Sequence, residues 1–311
     1  MNLRDTCCGA VALIAVVVGA SSANAQDYRT YYTVTHASEF KINWRAFYEK
    51  AEAKTADTRK ALPHTLDIQY GDDVKQRLDV YRPAKKTSGA AVFIFIHGGG
   101  FREGDRAQYG YVAGPLAARG IVTIVTSYRL TPKNHYPEQP DDIRAVLEWT
   151  YRHAKDYGAD PNRIYIGGHS AGAILSAFVS VKTDWLAARL LPADLVKGCV
   201  PISGPYDLTK SGSVSEYLPD PAGRADASPL FHIDHPPPRT IVAVGSVESY
   251  VDESKALADA VRRRGTVAEL IVLDGLPHDE TAWALGNPQS PLVQAMVRMM
   301  TGKTPVTSAA R

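Results

Sequence analysis

Cysteine is scarce in this 311-residue chain: three are present, and two of them, Cys7 and Cys8, stand ahead of the first apolar run. Cys199 would be alone once that leading segment is removed, and a single thiol makes neither an internal disulfide nor a thiolate metal site. It lies in the apolar run VKGCVPI and is read as a small buried hydrophobe. There is no H-x-x-x-H pair, no cysteine cluster and no calcium-loop spacing of acidic residues, so no metal is expected. No G-x-G-x-x-G opens a helix after a strand, which removes the dinucleotide signature, and no cofactor is expected. Charge of one sign is lacking too. The formal net charge is +2, and the one run of three basic residues, Arg262, Arg263 and Arg264, reads as a solvated helix end before Gly265. Nucleic acid is therefore not an expected partner. Internal repeats and low-complexity tracts are absent as well.

Long hydrophobic runs are also missing. The apolar stretch from Ala10 to Ala20 is too short for a stable membrane span. It follows Arg4 and precedes Ala23 and Ala25, an A-x-A pattern, and so predicts a signal peptide over 1–25 cleaved after Ala25. The mature chain is then expected to be secreted or periplasmic, without a membrane span of its own. Residues 26–311 are expected to form one domain. Its first part, 26–62, is polar and helix-prone, with Trp44, Phe47 and Tyr48 on one face, and is expected to form a small N-terminal helical cap.

What remains alternates regularly. HTLDIQY and QRLDVYRP interleave apolar and polar residues, as half-exposed antiparallel strands do, whereas AAVFIFIHG is the continuous apolar run of a strand buried on both faces. Further strands are read in GIVTIVTSYR, RIYIGGHS, VKGCVPISG, RTIVAVGS and AELIVLDG. Helical patterns fall in PDDIRAVLEWTYRHAKDYG, AGAILSAFVSV, DESKALADAVRRRG and the tail from about Glu280 to Met300, broken near Pro288 and Pro291. This rhythm predicts the α/β class, with a mostly parallel central sheet and helices on both faces. The rhythm fails between about 208 and 238. PLFHIDHPPPR is too rich in proline for regular structure, and reads as a connection over the carboxyl edge of the sheet, where open α/β sheets bind ligands.

Two motifs carry chemistry. In Gly168-His169-Ser170-Ala171-Gly172 a serine stands where a buried strand passes into a helix. A serine hydroxyl is a poor nucleophile unless a base takes its proton and the backbone presents its oxygen cleanly, and a sharp strand-to-helix turn does the presenting. The following helix also aims its free N–H groups at the same point. The second motif, His97-Gly98-Gly99-Gly100-Phe101, follows the first buried strand. Its glycines let backbone N–H groups point inward, so Gly99 and Gly100, together with Ala171, are candidate donors to an oxyanion. His97 heads a tight loop and is read as a residue that fixes that loop by hydrogen bonding, not as a base.

These motifs, in this order, resemble the α/β-hydrolase fold, and more narrowly its esterase branch. That branch includes the hormone-sensitive lipase family and the related small esterases, arylformamidases and feruloyl esterases. SYRLTPKNHYPEQPDDIRAVLEW and DPNRIYIGGHSAG carry the same resemblance, which spans roughly residues 63 to 300. It implies the order serine, acid, histidine. Of nine histidines, His278 in LDGLPHDET alone follows the last predicted strand. The acid should follow RTIVAVGS, where Glu248 holds the position the family gives to Asp or Glu. Asp252 is the alternative acid, although an N-cap role accounts for it equally. Asp207 in GPYDL is a third candidate.

The resemblance implies a serine hydrolase acting on a small-molecule carboxylic ester, with a Ser170-His278-Glu248 triad. The limited cap favours short acyl chains or small aromatic acyl groups. An amidase of the arylformamidase (kynurenine formamidase) type, or an esterase for feruloylated or acetylated xylan, would use the same machinery. A non-catalytic binding protein on the same scaffold is the reading from another class.

Overall fold

The structure, a computed structural model, describes residues 44–302. The expected signal peptide with Cys7 and Cys8, residues 26–43 of the expected cap segment, and the tail from 303 to 311 lie outside the described residues.

The strands are β1 (His64–Gln69), β2 (Arg77–Tyr81), β3 (Ala90–Ile96), β4 (Val122–Thr126), β5 (Ala159–His169), β6 (Val196–Ile202), β7 (Arg239–Gly245) and β8 (Ala268–Leu273). They form one sheet in the order β1-β2-β4-β3-β5-β6-β7-β8. The pairs β1–β2 and β2–β4 are antiparallel, and every other pair is parallel. The helices are α1 (Trp44–Ala61), α2 (Ala113–Ala117), α3 (Glu138–His153), α4 (Ala171–Val181), α5 (Trp185–Ala188), α6 (Val251–Arg263), α7 (Glu280–Trp283) and α8 (Pro291–Thr301).

Alternate residues of β3 feed opposite layers, as the period of a strand requires. Val92, Ile94 and Ile96 join the core with residues of α3 and α4, while Ala91, Phe93 and Phe95 join that with residues of α1, α2 and α8. Helix α3 runs on into a 3-10 turn, Ala154–Tyr157, that ends on Gly158, whose φ of 76° is the left-handed cap that a glycine takes most readily. Helix α1 lies along the flank and buries Phe47 and Ala51. Phe47 packs on Trp283 with ring centroids 4.8 Å apart. Among the described residues no helix is long and apolar enough to cross a membrane.

Three expectations need correction. Strand β2 is not half-exposed: Asp79, on what the alternation marks as its wet side, is 2% exposed. Burial of this carboxylate is tolerated because it is fully paired. Its oxygens accept from the Asp67 amide at 2.8 Å, Arg106 Nε at 3.1 Å and Arg59 Nη2 at 3.2 Å. Next, PLFHIDHPPPR does contain a turn of 3-10 helix, Pro229–His232, because a proline in the first turn forfeits no intrahelical donor. Finally, α2 and the 3-10 turns at Arg106–Gln108 and Gly110–Val112 fill a segment with no predicted element.

The 208–238 excursion is tied back to the loop after β3. Phe101 stacks on Tyr217 with centroids 3.7 Å apart, and Arg102 Nη1 lies 3.9 Å from Glu216.

Asp79 binds β2 to both α1 and the segment after the glycine loop. Replacing it by alanine leaves two arginines without their buried counter-charge. We expect Asp79→Ala to cost about 3 kcal/mol, read as a lower urea midpoint with an unchanged denaturant slope.

Candidate active site

The glycine-bracketed serine occupies a turn that few residues tolerate. Ser170 has φ 56° and ψ −116°, a conformation that costs a non-glycine residue about 1–3 kcal/mol. The turn is held on both sides. Ser170 N–H donates to Ile202 O at 2.9 Å, and Ser170 O accepts from the Ala173 and Ile174 amides at the start of α4. The flanking glycines are dictated by space. A Cβ on Gly172 would stand 2.1 Å from Ile96 O, and one on Gly168 would stand 2.5 Å from Gly172 O. Strand and helix therefore meet backbone to backbone.

The loop from His97 to Phe101 lies against this turn. Ile96 is in register with Gly168 on the neighbouring strand, and a Cβ on Gly98 would be 3.1 Å from the Cβ of Ser170. Gly99, Gly100 and Phe101 all have positive φ, at 113°, 61° and 63°. Gly99 O accepts from the amides of Arg102 and Glu103, which closes the loop. The Gly99 and Gly100 amides lie in this loop, and the Ala171 amide stands in the first turn of α4, where helix N–H groups lack intrahelical acceptors. His97 is fully buried, donates from Nδ1 to Gly98 O at 2.6 Å, and stacks on Tyr128 with centroids 4.5 Å apart. Burial takes its pKa down to about 4. It braces the loop and is no base at neutral pH.

His278 lies between β8 and α7. Ser170 Oγ stands 3.0 Å from His278 Nε2, and His278 Nδ1–H donates to Glu248 Oε2 at 2.7 Å. Glu248 follows β7 with its side chain 3% exposed. Its other oxygen, Oε1, accepts from Gly245 N–H and from Ser203 Oγ–H, each at 2.6 Å. Burial pushes the Glu248 carboxyl up, but the hydrogen bond and charge of His278, with the donors Ser203 and Gly245, hold it below its ordinary value. Burial pushes His278 down, but the hydrogen bond to Glu248 and the charges of Asp279 and Glu248 outweigh it, so its pKa is raised above the ordinary 6.5.

The rival acids stand elsewhere. Asp252 is 97% exposed beside Lys255. It sits in the first turn of α6 and is not the N-cap, a place taken by Tyr250. Asp207 caps the 3-10 turn Leu208–Lys210 and pairs with Lys210 at 2.8 Å.

Several neighbours carry no sequence signature. His169 donates from Nε2 to His278 O at 2.9 Å, and burial followed by the nearby His278 takes its pKa down to about 3. Ser203, at φ 55°, and Thr281 are fully buried, and their hydroxyls lie 2.7 Å apart. Tyr250 meets the His278 ring edge-on at 5.4 Å. Tyr109 and Tyr206 belong to the core, while Phe231 is exposed. Cys199 is buried, with its thiol pushed up to about 11 by burial. Among the described residues no group of three His, Cys, Asp or Glu could hold a metal ion.

We expect an NMR titration to place the His278 midpoint above 6.5, and Glu248→Gln to bring it down by removing the Glu248 charge, one of the two that raise it. His97 and His169 should show no titration above pH 5.

A family model described as BD-FAE matches residues 78–260, more than half of the chain. The chain is 29% identical over 178 residues to the kynurenine formamidase of Danio rerio, covering 57% of each. It is 32% identical over 153 residues to esterase LipC of Mycobacterium tuberculosis, covering 49% of this chain and 38% of that one. The chain thus spans about half the length of these curated relatives. An esterase from Pyrobaculum calidifontis superposes with a TM-score of 0.69 at 20% identity, covering 89% of this chain and 98% of that one. A truncated carbohydrate esterase from gut microbiota gives 0.67 at 19% identity, over 77% and 95%. With this sheet order, the fold is that of the α/β-hydrolases.

Proposed function

Since the chain belongs to the BD-FAE family, we propose that it is a serine hydrolase that cleaves small carboxylic esters through an acyl-enzyme on Ser170. The observation that carries this reading is the unbroken line from Ser170 Oγ to His278 at 3.0 Å and on to Glu248 at 2.7 Å, beginning at a strained turn.

His278 Nε2 takes the hydroxyl proton as Ser170 Oγ attacks the acyl carbon. Glu248 holds the ring with Nε2 toward the serine and stabilises the imidazolium. The amides of Gly99, Gly100 and Ala171 receive the negative charge of the tetrahedral intermediate, an effect worth about 3 kcal/mol for one donor. His278 then returns its proton to the leaving alkoxide, and a water molecule repeats the cycle on the acyl-enzyme. His278 must be neutral to begin, and its pKa is raised. The rate therefore falls as pH drops through a value above 6.5, and the acid limb of kcat/KM marks that value.

The leaving group is the open part of the reading. The kynurenine formamidase relative favours an N-formyl amide as the second substrate class. Export, expected from residues 1–25, favours an ester found outside the cytoplasm, such as an acylated polysaccharide. We take the ester as the primary reading, on the side of the esterase relatives.

Hydrolysis of p-nitrophenyl acetate and longer homologues tests this. Activity should decline with acyl length, and Ser170→Ala should lower kcat by at least about 10⁴-fold. A folded wild type that leaves every ester and N-formylkynurenine intact, and whose serine escapes fluorophosphonate labelling, would be a binding protein on this scaffold.

A further inference from the structure

Four oxygen atoms run in a line behind the triad. Glu248 Oε1, Ser203 Oγ, Thr281 Oγ1 and His278 O are linked by successive contacts of 2.6, 2.7 and 2.6 Å. Each contact is short enough to need a hydrogen. With Glu248 ionised, however, the line contains only two, one on each hydroxyl. One contact must therefore go without, and the surroundings decide which. Glu248 Oε1 is a buried carboxylate oxygen that, among the described residues, accepts from Gly245 N–H and Ser203 alone. His278 O has another donor, the Nε2–H of His169 at 2.9 Å. The carboxylate cannot release Ser203, so the Thr281 hydrogen goes either to His278 O or to Ser203 Oγ. The carbonyl, already served by His169, can release it, whereas Ser203 Oγ has no other donor among the described residues.

We propose that Thr281 and Ser203 form a directed hydroxyl chain, Thr281 to Ser203 to Glu248, which keeps the triad carboxylate ionised and oriented, with His169 freeing Thr281 for that task. Both residues are positioning residues that never touch substrate. The chain rests on the triad reading above and deepens it. A hydroxyl that itself accepts a hydrogen bond is a better donor, so the second link strengthens the first. The left-handed backbone of Ser203, where a β-branched residue is disfavoured, turns its side chain from the end of β6 toward β7. Thr281 approaches from the first turn of α7.

Other ionisable groups facing this pair are few. Asp279 adjoins His278, His169 comes from the end of β5, Tyr206 from the loop after β6, and Glu253 and Tyr250 from the start of α6. Tyr206 is held neutral by burial, and Glu253 is engaged with the amides of Tyr206 and Asp207. Among the described residues no lysine or arginine is with them, and His169 is held neutral by burial, so the hydroxyl chain and the Gly245 amide are what balance Glu248 on the side away from His278.

The sign of the effect separates this role from simple packing. Without the hydroxyl donors Glu248 protonates at higher pH and, while ionised, binds the imidazolium more strongly, so the acid limb moves up. Loss of the contact between Glu248 and His278 would move it down instead.

The pH dependence of Ser170 labelling by a fluorophosphonate reads this limb without a natural substrate. Ser203→Ala and Thr281→Val should each raise it by about 0.5 unit or more. Thr281→Ser should restore it, and the double variant should go no further than Ser203→Ala alone. An unmoved or lowered limb, additive shifts, or Thr281→Ser behaving as Thr281→Val would overturn the proposal. Melting curves establish that each variant is folded, and should Thr281→Val not fold, the direction of the Ser203→Ala shift decides. Absence of Ser170-dependent labelling in the folded wild type would overturn the hydrolase reading itself, and this inference with it.

Discussion

Everything at the carboxyl edge of the sheet depends on one close approach, the backbone of Gly172 against the carbonyl of Ile96. That contact lets α4 begin directly above β3 and β5, and it forces the chain to turn within a single residue. The turning residue is Ser170, whose dihedrals a relaxed loop would not keep. The strain is maintained because the sheet on one side and the helix on the other both hold it. The same approach brings the glycine loop after β3 against the serine, so the candidate nucleophile and candidate anion donors share one scaffold. Without it, a serine and three glycines would be ordinary loop residues.

Glu248 raises the opposite problem. A carboxylate 3% exposed is costly unless each oxygen is satisfied. Here burial and pairing pull its proton affinity in opposite directions, and pairing wins. The surplus is transmitted to His278, which also feels Asp279. Asp79 follows the same logic at the far side of the sheet, where two arginines and an amide make a buried charge tolerable. In both places an acid is buried because donors from other elements are waiting for it.

Much of this was legible in the sequence. β1 and β2 announce themselves by alternation and the other six strands by apolar runs, and the elbow and the glycine loop by spacing that close backbone contact explains. Glu248 over Asp252 followed from the position that the resembled family gives its acid, and the structure puts the first beside His278 and the second in solvent. Other features were hidden for physical reasons. The alternation in β2 suggested a wet face because Arg59 and Arg106, which bury Asp79, are remote along the chain. Ser203 and Thr281 bear hydroxyls that occur everywhere, and only their convergence across three elements distinguishes them. His169 sat inside the recognised motif, yet its bond to His278 O depends on a loop more than a hundred residues away.

The ladder between β3 and β5 has one more implication. Ile96 pairs with Gly168, so the glycine loop and the serine leave adjoining strands at the same level. Their separation is set by sheet hydrogen bonds. Glu248 and His278 instead sit on the loops that follow β7 and β8. On the proposed reading, the half that receives charge is thus fixed by the sheet, and the half that moves protons is carried on loops. On that reading a new leaving group can be suited by rewiring these two loops alone, while the half that receives charge stays as the sheet makes it.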